Sequence, residues 1–423
     1  MKYSRILTVI TLGILAGCLP LSAEKNNQAN EKDPNVILVY TDDVGYGDLS
    51  CYGGEIPTPN IDALADNGLM LTNAYATAAT CTPSRFSLLT GEYAWREPGR
   101  GVLQGDAPAI IDPERETWPK VLSRAGYRTG IVGKWHLGLG SEEGPNWNKK
   151  ITPGPLEMGF DYSFLIPATG DRVPCVYVEN HHVVNLDPND PIEVSFSKNI
   201  SDRPTGREHP EKLKQMWSHG HNHTIINGIS RIGYMKGGES ALWRDEDIAL
   251  KLVEKSRHFI QKKSNQPFFL FFSTHDIHVP RVPNERFQGT TGHGPRGDAI
   301  AQLDWSVGQL MKTLQEQGIE KNTMVIFSSD NGPVLDDGYK DEAAEKLGLH
   351  TPAANLRGGK YSAYEAGTKV PMIVRWPGII PEGKRSDALF SQVDMLASFA
   401  HFLKVGFDQN DAIDSRNHWE VLT

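Results

Sequence analysis

The chain has 423 residues, of which 39% are hydrophobic and 22% charged, so it can bury a large core and is not disordered throughout. Its 52 acidic and 43 basic residues give a net charge of −9, which argues against a nucleic-acid-binding protein that relies on a basic face. Four cysteines are too few for a disulfide scaffold, and the dispersed 41 glycines and 27 prolines indicate a loop-rich globular protein.

The first predicted element is a targeting signal. A basic start precedes an apolar stretch at residues 6–15, which is too short for a membrane-spanning helix and typical of a secretory signal peptide. The stretch ends in Leu-Ala-Gly-Cys, as in a bacterial lipobox, which predicts a signal peptide at residues 1–17, lipidation of Cys18 and a flexible tether over residues 18–34. Cleavage after Ala23 is the alternative. We therefore expect an exported bacterial lipoprotein, periplasmic or on the outer membrane, that meets the membrane only through its lipid.

Short apolar segments predict the strands of a largely parallel sheet. They lie at residues 35–40, 129–132, 267–272 and 323–327, and a further strand is predicted at residues 370–376. The first four are followed by groups that bind metals or transfer protons: Asp42, Asp43, Lys134, His136, His275, His278, Asp330 and Asn331. Because ligands bind beyond the carboxyl ends of the strands in open α/β sheets, we expect one site built from all four.

Amphipathic segments between the predicted strands are expected to be helices that face the core. They lie at residues 61–67, 117–124, 245–262 and 299–317, and Asn60 is expected to cap the first. We assign no function to these helices.

The region 170–243 has weak periodicity and is interpreted as long loops on the substrate side rather than as a separate domain. It contains an HxHxH run, His219, His221 and His223, for which a substrate loop is favoured over a transition-metal site. Further candidate glycan contacts are His181, His182, Arg172, Arg231 and Trp243. A tryptophan such as Trp243 is more often a core residue.

The most informative segment begins at Cys81 and reads Cys-Thr-Pro-Ser-Arg, followed by Phe-Ser-Leu-Leu-Thr-Gly. It resembles the CxPxR signature of the type I sulfatases, the formylglycine-dependent members of the alkaline phosphatase superfamily. The resemblance extends in family order over residues 35 to about 400, through Asp42-Asp43 with Gly-Tyr-Gly-Asp, Gly-Lys134-Trp-His136-Leu-Gly, His278 before Pro280, Asp330-Asn331-Gly332, and Gly359-Lys360 with Tyr-Glu-Ala-Gly.

The resemblance implies an α/β fold with an alkaline-phosphatase-like, mostly parallel central sheet flanked by helices. The catalytic domain would occupy residues 35–405. Such proteins usually carry a smaller C-terminal subdomain, so residues 406–423 are expected to be the start of a subdomain that is truncated or reduced.

The implied reaction is hydrolysis of a sulfate monoester to an alcohol and inorganic sulfate. In the family, a formylglycine-generating enzyme converts the cysteine at the position of Cys81 into an aldehyde. One hydroxyl of its hydrate attacks sulfur, and the other then loses its proton so that the aldehyde re-forms and sulfate leaves. A sulfated carbohydrate is the expected substrate, because an exported bacterial protein meets polysaccharides.

The resemblance also implies a Ca²⁺ site, with Mg²⁺ as the alternative, held by Asp42, Asp43, residue 81, Asp330 and Asn331. The positive charges of Arg85, Lys134 and Lys360 only balance the negative charges of the three aspartates. A net positive charge that could bind a sulfate remains only when the divalent ion is included.

The remaining site residues are assigned roles by the same resemblance. Arg85 and Lys134 would hold the diol, Asp330 would help to deprotonate its attacking hydroxyl, and His136 would take the second proton. His278 and Lys360 would face the leaving oxygen and the sulfate. His278 is the better candidate acid, because an unperturbed imidazole titrates near neutrality. Thr169 is a candidate sulfate contact, and His275 is expected to be structural or to support the site.

Two other functions remain open on the sequence alone. One is a phosphonate or phosphate ester hydrolase of the same superfamily, and the other is a non-catalytic glycan-binding lipoprotein with an unmodified thiol. The sequence also leaves open whether Cys51 and Cys175 pair with each other or are two separate thiols.

Overall fold

The computed structural model describes residues 33–423. The predicted signal peptide, Cys18 and nearly all of the predicted tether lie outside the described residues. The strands in chain order are β1 (Asn35–Thr41), β2 (Leu69–Leu71), β3 (Ala74–Tyr75), β4 (Arg128–Lys134), β5 (Tyr162–Ile166), β6 (Val178–Glu179), β7 (His182–Val183), β8 (Glu193–Ser195), β9 (Ile225–Ile226), β10 (Ile229–Ser230), β11 (Tyr234–Lys236), β12 (Phe268–Ser273), β13 (Thr323–Ser329), β14 (Met372–Arg375), β15 (Lys384–Ser386) and β16 (Phe390–Ser391). The α-helices are α1 (Pro59–Asp66), α2 (Cys81–Thr90), α3 (Trp118–Arg124), α4 (Ile248–Gln261), α5 (Gly294–Glu316), α6 (Met395–Leu403) and α7 (Trp419–Leu422).

A ten-stranded sheet forms the centre of the molecule, in the order β15-β2-β14-β13-β1-β12-β4-β5-β6-β7. The five strands from β13 to β5 run parallel, whereas β14 and β6 join them antiparallel. Every residue of β1, β4, β12 and β13 is buried, as expected for parallel strands that are covered on both faces. The predicted α/β fold with a mostly parallel sheet is confirmed.

Helices cover both faces of this sheet. Successive residues of a strand point to opposite faces, and in β12 the ring of Phe268 lies 6.0 Å from that of Phe259 in α4, whereas Phe269 lies 4.9 Å from Trp118 in α3. Trp118 also contacts Phe399 in α6. The core therefore has one helical layer with α4 and another with α3 and α6.

The predicted helix starts at residues 61 and 299 were wrong by two and five residues. Helix α1 begins at Pro59 after Thr58, and α5 begins at Gly294 with Pro295 in its first turn. Proline suits the first turn, because its fixed φ is helical and its missing N–H needs no partner there. Asn60 is consequently not the cap, and its side chain binds Asp304 instead, at 2.6 Å.

The region 170–243 packs against the body of the fold. Strands β6 and β7 extend the central sheet, and the buried Cys175, Met235 and Trp243 belong to the same apolar core as the central strands. Trp243 is 3% exposed and its ring lies 5.6 Å from that of Tyr177, so it is a core residue rather than a glycan contact. The interpretation of the region as substrate-side loops stays a prediction.

Within residues 33–423 the thiols of Cys51 and Cys175 are free, which answers the question of pairing. Burial raises the pKa of each to about 12, as expected for unreactive thiols. None of the helices in the described part of the chain has the length and apolar character needed to cross a bilayer.

Candidate active site

The carboxyl ends of β1 and β13 bring three aspartates together. Thr41 and Ser329 are partners in the parallel register, so the residues that follow them lie side by side. Asp42, Asp43 and Asp330 are all 0% exposed, and one carboxylate oxygen of each lies within 4.8 Å of the others.

These residues fit a hard divalent cation. Among the described residues, Oδ1 of Asp42 and Oδ1 of Asn331 are buried without a hydrogen-bond partner. Nδ2 of Asn331 donates to Asp43 at 2.8 Å, which turns the amide oxygen away from Asp43. Burial and the negative charge of Asp330 raise the pKa of Asp42 to about 8, a penalty that a bound cation would remove. Ligands that are all oxygens match Ca²⁺ or Mg²⁺.

Residue 81 lies at the first position of α2, where a helix favours negative charge. Cys81 is 2% exposed, and its Sγ lies 3.2 Å from Nδ1 of His136. The other imidazole nitrogen of His136 lies 3.0 Å from the carbonyl oxygen of Leu103, and the hydroxyl of Thr82 donates to the backbone carbonyl of His136. The structure therefore fixes His136 directly beside residue 81.

Lys134 and Arg85 neutralise the aspartates. Nζ of Lys134 lies 2.5 Å from Asp42 and 3.9 Å from Asp330. Arg85 donates to Asp330 through Nε at 2.9 Å and Nη2 at 2.7 Å, and to the hydroxyl of Ser273 through Nη1 at 2.5 Å. Ser273 was missed, although its position at the end of an apolar strand could have identified it.

His278 and Lys360 lie on the other side of Asp43. Lys360 places Nζ 2.9 Å from Asp43 and 2.8 Å from Asp337. Nδ1 of His278 is 2.7 Å from the carbonyl oxygen of Val279, so Nδ1 carries the proton and Nε2 faces Asp43 and Asp337, at 3.9 Å from each. Asp337 was also missed, because an Asp-Asp-Gly sequence outside any predicted strand indicates only a turn.

The pocket changes the acid–base properties of this pair. Burial, reinforced by the charges of Lys360 and Lys134, lowers the pKa of His278 well below its ordinary value. Contrary to the expectation from an unperturbed imidazole, His278 therefore does not titrate near neutrality before an anion binds. Although burial opposes it, the charges of Asp43 and Asp337 raise the pKa of Lys360 well above its ordinary value, so Lys360 remains protonated.

Thr169 belongs to a polar cluster in which its hydroxyl already has protein partners. It donates to Asp171 and accepts from Nη1 of Arg172 at 2.8 Å. Nε2 of His221 lies 2.9 Å from the same Asp171. A Cβ on the adjoining Gly170 would lie 2.5 Å from Nε2 of His275, so this cluster borders the site.

The HxHxH run does not converge on one point. His221 binds Asp171, the ring of His223 stacks on Tyr234 at 4.4 Å, and His219 is exposed. The structure gives no support to a transition-metal site at these three residues.

Two other candidate glycan contacts bind protein groups. Arg231 is fully buried and lies 2.6 Å from Asp245, so its interpretation as a glycan contact was wrong. Nε2 of His181 lies 2.9 Å from Glu157, whereas His182 is exposed in β7.

His275 is buried beside the site, as expected of a supporting residue. Its ring lies 6.0 Å from that of His278, and within residues 33–423 neither of its ring nitrogens has a hydrogen-bond partner. Burial lowers its pKa to about 4, so the ring is neutral.

Comparison with known proteins adds to this geometry. The profile of the Sulfatase family matches residues 34–405. N-acetylgalactosamine-6-O-sulfatase of Bacteroides thetaiotaomicron is 53% identical over 421 residues, which cover 99% of this chain and 82% of that protein. Human arylsulfatase A is 32% identical over 375 residues, covering 87% of this chain and 64% of that protein.

A solved structure from work on the metabolism of glycosaminoglycans by Bacteroides thetaiotaomicron superposes with a TM-score of 0.91 and 55% identity. The match covers 92% of this chain and 82% of the other. It confirms the expected alkaline-phosphatase-like architecture.

Proposed function

Because the chain belongs to the sulfatase family and is a sulfuric ester hydrolase, we propose that it removes the 6-sulfate from N-acetylgalactosamine units of sulfated glycans. The observation that carries the proposal is the 53% identity, over 99% of the chain, with an enzyme named for that reaction. The buried cluster of carboxylates, lysines and histidines around residue 81 supports it, because these groups suit an anionic ester.

A divalent cation, Ca²⁺ with Mg²⁺ as the alternative, would be held by Asp42, Asp43, Asp330 and Asn331 together with residue 81. We propose that residue 81 is converted to formylglycine by a formylglycine-generating enzyme. The formylglycine would supply a hydrated aldehyde as nucleophile, and the cation would polarise the sulfate ester.

The residues of the chain would then bind the substrate and move protons. Lys360 stays charged and binds the sulfate oxygens. His136, whose Nδ1 lies 3.2 Å from Sγ of Cys81, is placed to accept a proton from residue 81. His278 presents Nε2 towards Asp43 and Asp337, and an incoming anion would raise its low pKa so that it protonates the leaving oxygen.

Arg85 and Lys134 contribute to the site through their contacts with its aspartates. Arg85 directs two N–H groups to Asp330, and Lys134 binds Asp42. Both place a positive charge against the buried aspartates, and Lys134 binds Oδ2 of Asp42 so that Oδ1 remains available as a ligand. Arg85 therefore orients Asp330, and its expected direct contact with the diol stays a prediction.

The direct test is desulfation of defined saccharides by the purified protein. N-acetylgalactosamine 6-sulfate should release inorganic sulfate, whereas its 4-sulfate isomer and N-acetylglucosamine 6-sulfate should react far more slowly. Release from the 4-sulfate at the same rate would contradict the proposed position. Faster hydrolysis of a phosphate or phosphonate ester would favour the other hydrolase of the superfamily.

Mass spectrometry of the peptide that contains residue 81 tests the nucleophile. The aldehyde should be present in the active protein, and Cys81→Ala should eliminate sulfate release. An intact thiol in a protein without turnover would instead indicate a glycan-binding protein.

We also propose export and lipid attachment at Cys18, supported by the Leu-Ala-Gly-Cys sequence. The chain made in a bacterium should incorporate labelled fatty acid and enter the detergent phase, and Cys18→Ser should do neither. Labelling that persists in Cys18→Ser would contradict the assignment.

A further inference from the structure

Asp337 is an unexpected group in a pocket that receives an anion. Its carboxylate lies 2.8 Å from Nζ of Lys360 and 3.9 Å from Nε2 of His278, the two groups proposed to face the sulfate ester. A carboxylate repels a sulfate, so Asp337 weakens the attraction that Lys360 exerts on the substrate. Any favourable interaction of Asp337 with the substrate would therefore involve a part other than the sulfate.

The loop that carries Asp337 is held in one place. Arg281 donates to the backbone carbonyls of residues 334–335, at 2.9 and 2.8 Å, and pairs with Asp341 at 2.7 Å. Gly338 has a φ of 112°, and a Cβ at this position would lie 1.9 Å from a neighbouring histidine nitrogen. The carboxylate is therefore presented by a fixed turn, which lowers the entropy lost when it binds a ligand.

Tyr361 lies between the carboxylate of Asp337 and the solvent. Its hydroxyl donates to Asp337 at 3.1 Å, and its backbone N–H donates to the carbonyl of Ala79 at 2.8 Å. Tyr361 is 58% exposed, and Nζ of Lys360 lies 5.3 Å from the centre of its ring. An exposed aromatic ring thus lies next to the buried cation and its carboxylate.

Asp337 keeps capacity for another hydrogen bond. A carboxylate accepts about four, and here Lys360 and Tyr361 supply two donors. The side chain is 13% exposed, so a substrate group can reach it. The group that fits is a neutral donor attached to the part that carries the sulfate.

We propose that Asp337 and Tyr361 form a subsite for the sugar that bears the sulfate. Asp337 accepts a hydrogen bond from a hydroxyl of that sugar, and the ring of Tyr361 covers an apolar face of it. This inference rests on the proposed function, because it assumes a sulfated sugar. Lys360 binds the sulfate while Asp337 binds the hydroxyl. The two residues therefore select substrates by the distance between the sulfate and that hydroxyl.

The test compares two substrates of the modified, metal-loaded enzyme: N-acetylgalactosamine 6-sulfate and 4-methylumbelliferyl sulfate, which has no sugar hydroxyl. In Asp337→Ala, the ratio of kcat/KM for the sugar to kcat/KM for the aryl ester should fall by about tenfold or more, the usual effect of losing a hydrogen bond to a charged group. Tyr361→Ala should lower the same ratio. Asp336→Asn is the matched control, because Asp336 adjoins Asp337 but its Oδ1 accepts from Ser218 and from the N–H of Gly338, which an amide oxygen can still do, and it should leave the ratio unchanged.

Deoxy sugars provide a second measurement. The wild type should lose about tenfold in kcat/KM on either the 3-deoxy or the 4-deoxy analogue of the sugar sulfate, and Asp337→Ala should lose nothing further on that analogue. Equal losses on sugar and aryl esters in Asp337→Ala would overturn the subsite and leave Asp337 as a group that only positions Lys360. Unchanged kcat/KM on both substrates in Asp337→Ala would overturn it as well. A wild type that cleaves the aryl ester but no sugar sulfate would instead reject the proposed substrate class, and the subsite with it.

Discussion

Each buried cation of the site is matched with its own carboxylate. Lys134 binds Asp42, Arg85 binds Asp330, and Lys360 lies between Asp43 and Asp337. Removing one partner of a buried pair leaves a charge without compensation, at about 3–5 kcal/mol. Substitutions at this site therefore affect folding as well as turnover, and both must be measured.

Lys360→Ala should weaken both binding and rate. It removes the cation that is proposed to bind the sulfate and leaves Asp43 and Asp337 unneutralised, so we expect kcat/KM to fall by at least about tenfold. Steady-state kinetics on the sugar sulfate, with denaturation curves to check folding, measure this. Kinetics equal to those of the wild type would remove Lys360 from the site.

The contact between His221 and Asp171 makes stability depend on pH. Although burial opposes it, the hydrogen bond with Asp171 raises the pKa of His221 above its ordinary value, so the charged pair stabilises the fold below about pH 6.5 and is lost as the pH rises through the folded-state pKa. His221→Gln should therefore lower the free energy of unfolding by more at about pH 6 than at about pH 9. Denaturation in urea at both pH values measures the difference.

His209→Gln is the control for that measurement. His209 pairs with Glu211 on the exposed surface, at 3.1 Å, and exposed pairs contribute little. A pH dependence as large in this variant as in His221→Gln would contradict the role given to the buried pair.

A site residue can be predicted from the sequence when it belongs to a short motif of neighbouring residues. Asp42, Lys134 and Asp330 follow strand ends, where polarity after an apolar run is conspicuous. Asp337 and the partnership of Asp171 with His221 depend on loops that meet only in the folded chain, and no local pattern shows such contacts.

Among the elements, α2 is closely packed at its C-terminal end. It begins at residue 81 and ends at Gly91, whose φ of 69° is left-handed. A Cβ on Gly91 would lie 2.9 Å from Cβ of Ala412 and of Ser415. The end of the helix that carries residue 81 is thus packed directly against the C-terminal segment.

Gly91→Ala should lower the free energy of unfolding by about 2–4 kcal/mol, because it combines a left-handed conformation with a close contact. Gly318→Ala is the matched control. Gly318 also has a positive φ, of 68°, but a Cβ there meets nothing within 4 Å, so its cost should be about 1 kcal/mol. Equal losses in the two variants would show that the contact with the C-terminal segment is unimportant.

Element types were predictable from periodicity, whereas element ends were not. The strand predicted at residues 129–132 extends as β4 over Arg128–Lys134, because Gly133 and Lys134 continue the ladder with β5. Propensity places neither residue in a strand, so the pairing of neighbouring strands decides. Pairing with β1 likewise extends β13 to Ser329.

At the scale of the molecule, the site joins loops from strands that are far apart in sequence. A bound cation would link the ends of β1 and β13, and so should stabilise the whole fold. Adding Ca²⁺ at a hundredfold its dissociation constant should stabilise the protein by about 2.7 kcal/mol, and chelation should remove that gain together with sulfate release. Thermal unfolding and activity with EDTA, Ca²⁺ and Mg²⁺ measure both effects.

Asp42→Asn tests whether the carboxylate cluster is responsible. This variant should show a much smaller thermal response to Ca²⁺ than the wild type, because it loses one charged ligand. An undiminished response would place the ion elsewhere.

The direction of β1 has a consequence for how the molecule would face its surroundings. The chain enters β1 at Asn35, and Asp42 and Asp43 follow the opposite end of the same strand. An acyl group at Cys18 would therefore connect, through its flexible tether, to the side of the folded domain that lies away from these aspartates.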